Sequence, residues 1–525
     1  MRRPKTPLMQ FLQRAFNTAL ITETRGEMFA EDLREKKEIA LYSRRQFVTQ
    51  TLGAVAATGL TLSSLKEMYA APAQPEIAVV GAGLAGLNAA YQLQKAGLRA
   101  TIYEASTNNS WGRIRTRRIG NNLSTELGGE FIDSSHADML GLMKEFQLAS
   151  IDMLADTRGL IKDSYFFRGR HYSEADVIRE FRGFAKKIAD AADSLPEDTG
   201  YTSKSDVVRR LDNTSIEQYL RSLEIGGWLY DLLDVAYTSE FGLEIGDQSA
   251  LNFITMIGTD VSKSFEIFGE SDERYKIKGG NSRLIDSLRQ RLSRQIVNNR
   301  WLEAVTPKHN GYRLSFAGGK EAQATVLILA IPFTTLRDVD LSRIALPPEK
   351  NRAIQKLGYG TNSKLLLNVT SRSWRRQGRV GYLFNEKIHN GWDNTQGQGG
   401  NIGDGSYTVF LGGKAGKNLD RSATETYLGE LDKVFPTFES TYTNSHVINW
   451  SSDELTKGGY ACYKVGQWTS ISGAEIEPYG NIFFCGEHCS SDYQGYMNGA
   501  AETGRSVAEN IVRKFGTKAR RAVRR

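Results

Sequence analysis

The sequence predicts an α/β fold, in which a Rossmann-like dinucleotide-binding domain is joined to a second α+β domain with an antiparallel sheet and a helical insertion. Three observations lead to this prediction. A glycine-rich strand–helix–strand unit lies at residues 76–104, a mostly helical stretch runs from 135 to about 272, and strand-like segments return after 275. The chain has 525 residues, which is enough for two or three domains.

The unit at residues 76–104 has the parts of a dinucleotide-binding fingerprint in the required order. An apolar strand is followed by Gly81, Gly83 and Gly86 in the spacing G-x-G-x-x-G, then by an apolar helix, a second strand and Glu104. The glycines permit a tight turn, close approach of a pyrophosphate and close packing of helix on strand. The helix N-terminus offers free N–H groups to phosphate, and Glu104 offers acceptors to a ribose diol.

The segments after the fingerprint predict the second domain and the return to the first. Strands are expected at 300–305, 312–316 and 324–329, and a second, mostly antiparallel sheet at 364–369, 380–384 and 408–412. Residues 391–405 are expected to form a loop. The last strand (481–485) and helix (499–515) are expected to rejoin the nucleotide domain. The dinucleotide-binding domain is therefore assigned to 75–134, 275–335 and 478–515, and the substrate-binding domain to 135–274 and 336–477.

The N-terminal region carries an export motif. Residues 43–48 read S-R-R-Q-F-V, which is typical of a twin-arginine signal, and a weakly apolar stretch and the small residues of 68–73 follow. Several Thr, Ser and Gln side chains make this stretch too polar for a stable membrane span. The sequence therefore predicts delivery by the twin-arginine translocase to the periplasm or the outside, with residues 1–73 outside the fold. The role of residues 1–42 stays open.

Charge and cysteines exclude other classes of protein. Of the net charge of +7, residues 513–525 carry +7 and residues 1–73 carry +4, so the body between them carries −4. The basic tail (516–525) is expected to be a solvated terminus, and no motif indicates nucleic-acid binding. The three cysteines form no disulfide framework, although a Cys462–Cys489 bond is left open, and residues 485–489 lack a second ligand pair for a metal.

Four motifs give the chain a resemblance to the flavin-containing amine oxidases over residues 75–515. The first is the fingerprint at 81–104. The second is Gly-Arg at 112–113 followed by E-L-G-G at 126–129. The third is G-T-N-S-K-L at 360–365 with a tryptophan at 374. The fourth is F-C-G-E at 484–487 followed by G-Y-M-N-G-A at 495–500.

The resemblance implies an FAD-binding domain of the GR2 type. Glycine stands at position 459, where monoamine oxidases have a flavin-linking cysteine, so FAD is expected to be bound non-covalently. The cofactor-binding positions that the resemblance implies are Gly81, Gly83, Ala85, Gly86, Glu104, Arg113, Gly128, Gly129, Leu302, Gly486, Glu487, Gly495, Tyr496 and Met497.

The resemblance also implies the catalytic residues. Lys364 matches the lysine that holds a water at flavin N5, Tyr460 and Tyr496 match two aromatic faces that sandwich the amine, and Asp133 falls where plant polyamine oxidases carry an acid. From the residues alone, Lys278 is the second candidate lysine, and Asp133 could instead cap the helix that follows it. His488 is expected to be hydrogen-bonded near FAD rather than to act as a base.

The predicted function is that of an exported FAD-dependent amine oxidase. It would oxidise a small primary or secondary amine, or an L-amino acid, by hydride transfer to flavin N5, and O2 would be reduced to H2O2. An L-amino-acid oxidase specifically is one alternative, although no arginine follows Gly129 as in animal L-amino-acid oxidases. A carotenoid or porphyrinogen dehydrogenase is another, and a non-catalytic FAD-binding protein is a third. A homodimer is left open.

Overall fold

The computed structural model describes residues 75–107, 111–120, 123–262, 264–400 and 402–516. The predicted export motif and the basic tail lie outside these residues. The strands of the described part are β1 Ile77–Val80, β2 Ala100–Tyr103, β3 Thr116–Ile119, β4 Leu123–Glu126, β5 Ser150–Asp152, β6 Ile161–Phe167, β7 Arg170–Tyr172, β8 Tyr275–Ile277, β9 Ile296–Val297, β10 Leu302–Lys308, β11 Gly311–Phe316, β12 Lys320–Ala324, β13 Val326–Leu329, β14 Ser363–Val369, β15 Arg379–Asn385, β16 His389–Asp393, β17 Gly405–Leu411, β18 Tyr442–Asn449 and β19 Ile482–Phe484.

The α-helices of the described part are α1 Leu84–Lys95, α2 Ala137–Glu145, α3 Glu174–Asp193, α4 Asp206–Asp212, α5 Ile216–Ser222, α6 Gly227–Phe241, α7 Ala250–Met256, α8 Ser282–Leu292, α9 Phe333–Leu336, α10 Pro348–Lys356, α11 Ser373–Arg376, α12 Gly413–Lys417, α13 Thr424–Val434, α14 Phe438–Thr441, α15 Trp468–Ile471 and α16 Met497–Ile511.

A five-stranded parallel sheet forms the nucleotide-binding half, in the order β19-β13-β1-β2-β9. All four residues of β1 are buried, as expected for a central strand covered on both faces. The last strand pairs with β13, and the Asn88 amide of α1 donates a 2.6 Å hydrogen bond to the carbonyl of Ala501 in α16. The predicted return of the C-terminal strand and helix is confirmed.

A seven-stranded sheet forms the other half, in the order β18-β14-β17-β16-β15-β6-β7. Its pairs are antiparallel except for β15 with β6. The three strands predicted for this sheet are present as β14, β15 and β17. Helices α3 to α7 pack around a large apolar core that also receives Tyr165 and Phe167 of β6.

The stretch from 135 to about 272 is mostly helical, as predicted, with one addition, and two other details of the prediction are wrong. The stretch after residue 135 contains the hairpin β6–β7, whose tight turn places Arg168 and Gly169 at φ of +53° and +77°. The segment predicted as one strand at 324–329 divides at Thr325, because β12 pairs with β11 and β13 pairs with β1. The predicted loop at 391–405 begins inside β16.

The domain boundaries stay a prediction. The strands of the five-stranded sheet and those of the seven-stranded sheet each come from the ranges assigned to one domain, whereas β5 of the assigned substrate domain pairs with β8 of the assigned dinucleotide-binding domain. Among the described residues, no helix is both long enough and apolar enough to cross a membrane.

Candidate active site

A cavity lies against the carboxyl end of β1 and is lined from both halves of the fold. Most of the cofactor-binding positions implied by the resemblance line it. They are Gly81, Gly83, Ala85, Glu104, Arg113, Gly128, Gly129, Leu302, Gly486, Glu487, Gly495, Tyr496 and Met497. Gly86 lies behind them at the helix–strand contact. Ligands of parallel α/β sheets bind at this end of the strands.

The glycine-rich loop has the geometry that the fingerprint predicts. Gly81 has a φ of +101°, and a Cβ there would lie 2.8 Å from the carbonyl oxygen of Ala330. A Cβ on Gly86 would lie 2.1 Å from the carbonyl oxygen of Gly81, whereas one on Gly83 would meet no atom within 3.8 Å and only one at 3.9 Å. Gly81 and Gly86 therefore serve the turn and the packing, and Gly83 leaves room for a ligand.

Glu104 supports this loop as well as facing the cavity. Its Oε2 accepts a 2.7 Å hydrogen bond from the backbone N–H of Ala82, and its Oε1 accepts one of 2.8 Å from Ser106. Burial raises the pKa of the Glu104 carboxyl, and these backbone donors oppose the rise. Each carboxylate oxygen keeps a second lone pair, so the predicted bond to a ribose remains chemically available.

Arg113 and Glu487 join distant parts of the chain at the cavity wall. The Arg113 guanidinium donates to Oε1 of Glu487 at 2.8 Å and to the carbonyl of Gly459 at 2.6 Å. The other oxygen of Glu487 accepts the N–H of Gly495 at 2.9 Å. The resemblance places both side chains at the phosphate side of FAD, and here each fixes the other.

The paired glycines of the second motif lie in close contact with their surroundings. A Cβ on Gly128 would lie 1.8 Å from the carbonyl oxygen of Arg113, and one on Gly129 would lie 2.8 Å from Cγ of Met497. Met497 begins α16, so this helix presents its N-terminus to the cavity, as α1 does after Gly83. Two helix N-termini, a glycine loop and flat backbone suit a dinucleotide carrying a planar ring, so these residues fit FAD.

Lys364 projects from β14 into the cavity wall and is 4 % exposed. Its Nζ donates to the carbonyl of Gly128 at 2.9 Å, to the carbonyl of Glu126 at 3.2 Å and to Oε2 of Glu130 at 2.7 Å. These bonds use the three donors of an ammonium group. A water bound to Lys364 would therefore have to share one of these three N–H donors. The role of Lys364 in holding a water at flavin N5 stays a prediction.

Glu130 is a site residue that sequence reasoning missed. It is buried, and its Oε1 accepts a 2.7 Å hydrogen bond from Lys276, which also donates to the carbonyl of Asn394. Burial alone would raise the pKa of Glu130, but Lys276 and Lys364 outweigh it, and the pKa is lowered. The prediction of Lys278 as the second lysine is wrong, because Lys278 lies beyond the end of β8 and is exposed.

Asp133 does not cap the helix that follows it. The residue before α2 is His136, and no side chain caps this helix. The Asp133 carboxylate instead accepts the hydroxyl of Ser271 at 2.8 Å and the N–H of Glu273 at 3.0 Å. Burial raises its pKa to about 6. The alternative prediction of an N-cap is therefore wrong, and Asp133 lines the cavity, although its place beside the amine stays a prediction.

Two further carboxylates, Glu240 and Glu273, line the cavity with Asp133, and we call these three residues the acidic cluster. Burial raises the pKa of Glu240 to about 7 and that of Glu273 to about 8, and the charge of Asp133 adds to both shifts. Within the described residues, no lysine or arginine forms an ion pair with any of the three.

The two predicted tyrosines meet at Glu240. The hydroxyl of Tyr460 donates to the main-chain carbonyl of Glu240, and the hydroxyl of Tyr496 donates to its carboxylate at 3.4 Å. The Asn362 amide donates to the Tyr460 oxygen at 3.1 Å. Burial raises the pKa of both phenols well above the usual value, so both hydroxyls stay protonated donors. That these rings sandwich the substrate stays a prediction.

The three cysteines and His488 are the remaining residues for which the sequence made a prediction. All three cysteines are free and buried, so the Cys462–Cys489 disulfide is absent. Neither ring nitrogen of His488 has a hydrogen-bond partner in the described part of the chain, so its predicted hydrogen bonding is not seen there. Burial lowers its pKa well below the usual value, and the ring packs on Phe333 with centroids 4.4 Å apart. No group of residues suited to a metal occurs among those described.

One missed residue did carry a sequence signal. Helix α6 is apolar on most of its faces, so the acid at its end, Glu240, had to be buried or functional. Glu130 stands only three residues before Asp133, but nothing local distinguishes a lysine-paired acid from a cavity-facing one. Glu273 lies in a polar segment with no periodic pattern.

Comparison with known proteins identifies the family of the chain and relatives of its fold. The model of the family described as flavin containing amine oxidoreductase matches residues 84–512. The chain is 24% identical over 473 residues to amine oxidase [flavin-containing] A of Sus scrofa, covering 84% of this chain and 85% of that one. It is 23% identical over 462 residues to L-amino acid dehydrogenase of Synechocystis sp., covering 83% and 94%. The fold is similar to that of cyclohexylamine oxidase from Brevibacterium oxydans, with a TM-score of 0.74 and 20% identity over 84% of this chain and 99% of that one. Putrescine oxidase bound to putrescine gives a TM-score of 0.71 at 20% identity, with the same coverage.

Proposed function

The chain belongs to the flavin containing amine oxidoreductases and is a flavin-dependent amine oxidase with FAD as its cofactor, and we propose that its substrate is a small amine with a second cationic group. The acidic cluster carries this proposal. Three carboxylates face one cavity beside the predicted amine-binding tyrosines, and none of them forms an ion pair with a lysine or arginine of the described residues. His136 lies 3.4 Å from Asp133, but burial lowers its pKa to about 4 and keeps it neutral, and the charge of Lys162 only partly offsets the raised pKa of Glu273. Buried carboxylates without a partner are costly, and a dication would supply the missing charges.

The same geometry disfavours an L-amino acid. Among the described residues, the arginines that line the cavity are Arg113 and Arg300. Arg113 is paired with Glu487, and the backbone of Arg300 is bonded to Glu104, at the nucleotide-binding part of the cavity. A substrate carboxylate near Tyr460 would therefore face the acidic cluster instead of a cation. A neutral polyene, the substrate of a carotenoid dehydrogenase, would leave the same carboxylates desolvated and unpaired.

The chemistry is divided between the cofactor and the protein. When bound, FAD supplies the electron chemistry, since it accepts the hydride from the carbon next to the amine nitrogen. The amine must lose its proton before it can react. Glu240 contacts both tyrosines and has a pKa raised to about 7 by burial, which suits it to accept that proton near neutral pH. Glu273 and Asp133 then hold the second ammonium and fix which end of the substrate reacts.

The proposal includes the acceptor and the location. We propose O2 as the acceptor and H2O2 as the product, on the basis of the amine oxidases among the relatives. We propose export by the twin-arginine translocase, on the basis of the motif at 43–48. A protein that must bind FAD before it crosses a membrane suits a route that carries folded proteins.

A panel of amines tests the substrate class. Purified FAD-loaded protein is assayed for H2O2 with putrescine, cyclohexylamine and a mixture of L-amino acids. We expect putrescine to give the highest kcat/KM. Glu273→Gln should lower kcat/KM for putrescine about 10–100-fold, since a charge-assisted bond contributes about 1.5–3 kcal/mol, and should affect cyclohexylamine much less.

Three outcomes would each contradict a part of the proposal. The highest kcat/KM with L-amino acids would overturn the substrate class. An equal loss on putrescine and cyclohexylamine would show that Glu273 does not bind a second ammonium. Turnover with an artificial electron acceptor but without O2 consumption would overturn the oxidase assignment alone.

A further inference from the structure

A buried triad of Lys276, Glu130 and Lys364 stands at the cavity wall and is separate from the acidic cluster. Each carboxylate oxygen of Glu130 forms an ion pair with the Nζ of a different lysine, and both N–O distances are 2.7 Å. The three side chains are between 2 % and 5 % exposed. One carboxylate between two ammonium groups leaves the triad with one positive charge more than negative charges.

Glu130 is the residue that can hold Lys364 by charge. The other acceptors of Lys364 are the main-chain carbonyls of Glu126 and Gly128, which are dipoles and cannot neutralise an ammonium. Nearby aromatic rings add weaker support, since Nζ lies 5.2 Å from the ring centre of Trp392. Lys276 occupies the second oxygen of Glu130, so the carboxylate cannot rotate away from Lys364 without losing a buried ion pair.

The backbone beside the triad faces the predicted flavin-binding part of the cavity. Gly128 accepts from Lys364, and Gly129 precedes Glu130 directly. Both glycines are closely packed, since a Cβ on Gly128 would lie 1.8 Å from the carbonyl oxygen of Arg113 and one on Gly129 would lie 2.8 Å from Cγ of Met497, and the N–H of Gly129 donates to the carbonyl of Arg113 at 3.0 Å. Lys364 is therefore held at its backbone by strand β14 and at its ammonium group by the closely packed segment of Gly128 and Gly129.

We propose that Glu130 is a positioning residue, which holds the ammonium of Lys364 against this backbone so that a fixed positive charge faces the bound flavin. The proposal does not depend on which amine is oxidised. A positive charge near a flavin favours its reduced form, which is the more negative of the two, and so raises the reduction potential.

The midpoint potential of bound FAD tests the proposal and distinguishes it from a merely structural ion pair. Lys364→Met should lower the potential by about 30 mV or more, which is tenfold in the equilibrium of a two-electron couple. Glu130→Gln should also lower it, although this change removes a negative charge and would by charge alone raise the potential. The double variant should be no lower than Lys364→Met, because Glu130 acts through Lys364.

Matched variants keep the test decisive. Glu126→Gln removes a buried carboxylate from the same segment, whose side chain bonds Thr116 and the backbone of Asn281 instead of a lysine; it should not lower the potential. If Glu130→Gln does not accumulate, Glu130→Asp keeps the charge but withdraws it by one methylene, and it should lower the potential by a smaller amount. FAD content and thermal unfolding of each variant are measured alongside.

The proposal fails if Glu130→Gln or its aspartate replacement leaves the potential unchanged or raises it. It also fails if the effects of Glu130→Gln and Lys364→Met add in the double variant, since that would place Glu130 on the flavin independently of Lys364.

Discussion

Replacing Glu273 by Gln should stabilise the protein at alkaline pH, although the residue lines the active-site cavity. Burial, with Asp133 and Glu240, raises its pKa from the usual 4.5 to about 8. A carboxyl with a raised folded-state pKa lowers the free energy of unfolding progressively as pH rises from its unfolded-state pKa of 4.5 to its folded-state pKa of about 8; the penalty is complete above 8 and is absent only below 4.5. A shift of this size corresponds to at most about 5 kcal/mol at high pH, at 1.36 kcal/mol for each pKa unit.

Water in the cavity screens part of this penalty, so we expect Glu273→Gln to gain about 2–5 kcal/mol at pH near 9.5 and less than half of that at pH near 6, where the unfolded carboxyl is ionised but the folded one is still protonated. The assay is thermal unfolding of the substrate-free, FAD-loaded protein at the two pH values, followed by circular dichroism. The substrate must be absent because a bound dication would relieve the same penalty. The thermal midpoint of the variant should exceed that of wild type by clearly more at the higher pH than at the lower one.

Glu130→Gln is the matched control, because it is the same chemical change with the opposite expected sign. Lysines lower the pKa of Glu130, so its ionised form contributes stability above the unfolded-state pKa, which is lost only as pH falls through the folded-state pKa. This variant should be less stable than wild type at both pH values. A destabilised Glu273→Gln at pH near 9.5, or an equal shift of the thermal midpoint at both pH values, would refute the reasoning about the acidic cluster.

Three further predictions follow from the sequence and the backbone. FAD is bound non-covalently, because Gly459 stands in place of a linking cysteine; acid precipitation should release all yellow colour into the supernatant, and colour left in the pellet would contradict this. Changing both Arg44 and Arg45 to Lys should leave uncleaved protein in the cytoplasm, as shown by fractionation, whereas normal delivery would mean that the motif is accidental. Gly128→Ala should lose FAD or fail to fold, because a Cβ would lie 1.8 Å from a main-chain carbonyl oxygen, whereas Gly141→Ala, with no atom within 4 Å of the added Cβ, should be tolerated; equal FAD content in the two purified variants would count against the predicted close packing.

The cofactor-binding half of the site could be predicted from the sequence because its residues lie close together in the chain. Gly81, Gly86 and Glu104 lie within one strand–helix–strand unit, and their spacing alone specifies the turn and the packing. Lys364 was also found, because it belongs to a motif that the resemblance identifies.

The charge pattern around the substrate could not be predicted, because it depends on contacts between residues that are distant in sequence. Glu130 meets Lys364 across 234 positions, and Tyr496 meets Glu240 across 256. Glu130 and Asp133 are neighbours in one motif, yet lysines lower the pKa of the first and burial raises that of the second. Only the folded structure shows which acid forms ion pairs with lysines and which does not.

The contact between Arg113 and Glu487 bridges 374 positions, and this has a consequence for the order of events during synthesis. The segment from strand β19 to helix α16, which contains Glu487 and Met497, is among the last parts to be made. A chain still being translated therefore presents the glycine loop and both lysines of the triad before it has the wall that completes the cavity. The cavity wall is therefore complete only when nearly the whole polypeptide has been made, and a deletion of residues 486–525 would remove this wall of the predicted flavin site even though the fingerprint at the other end is intact.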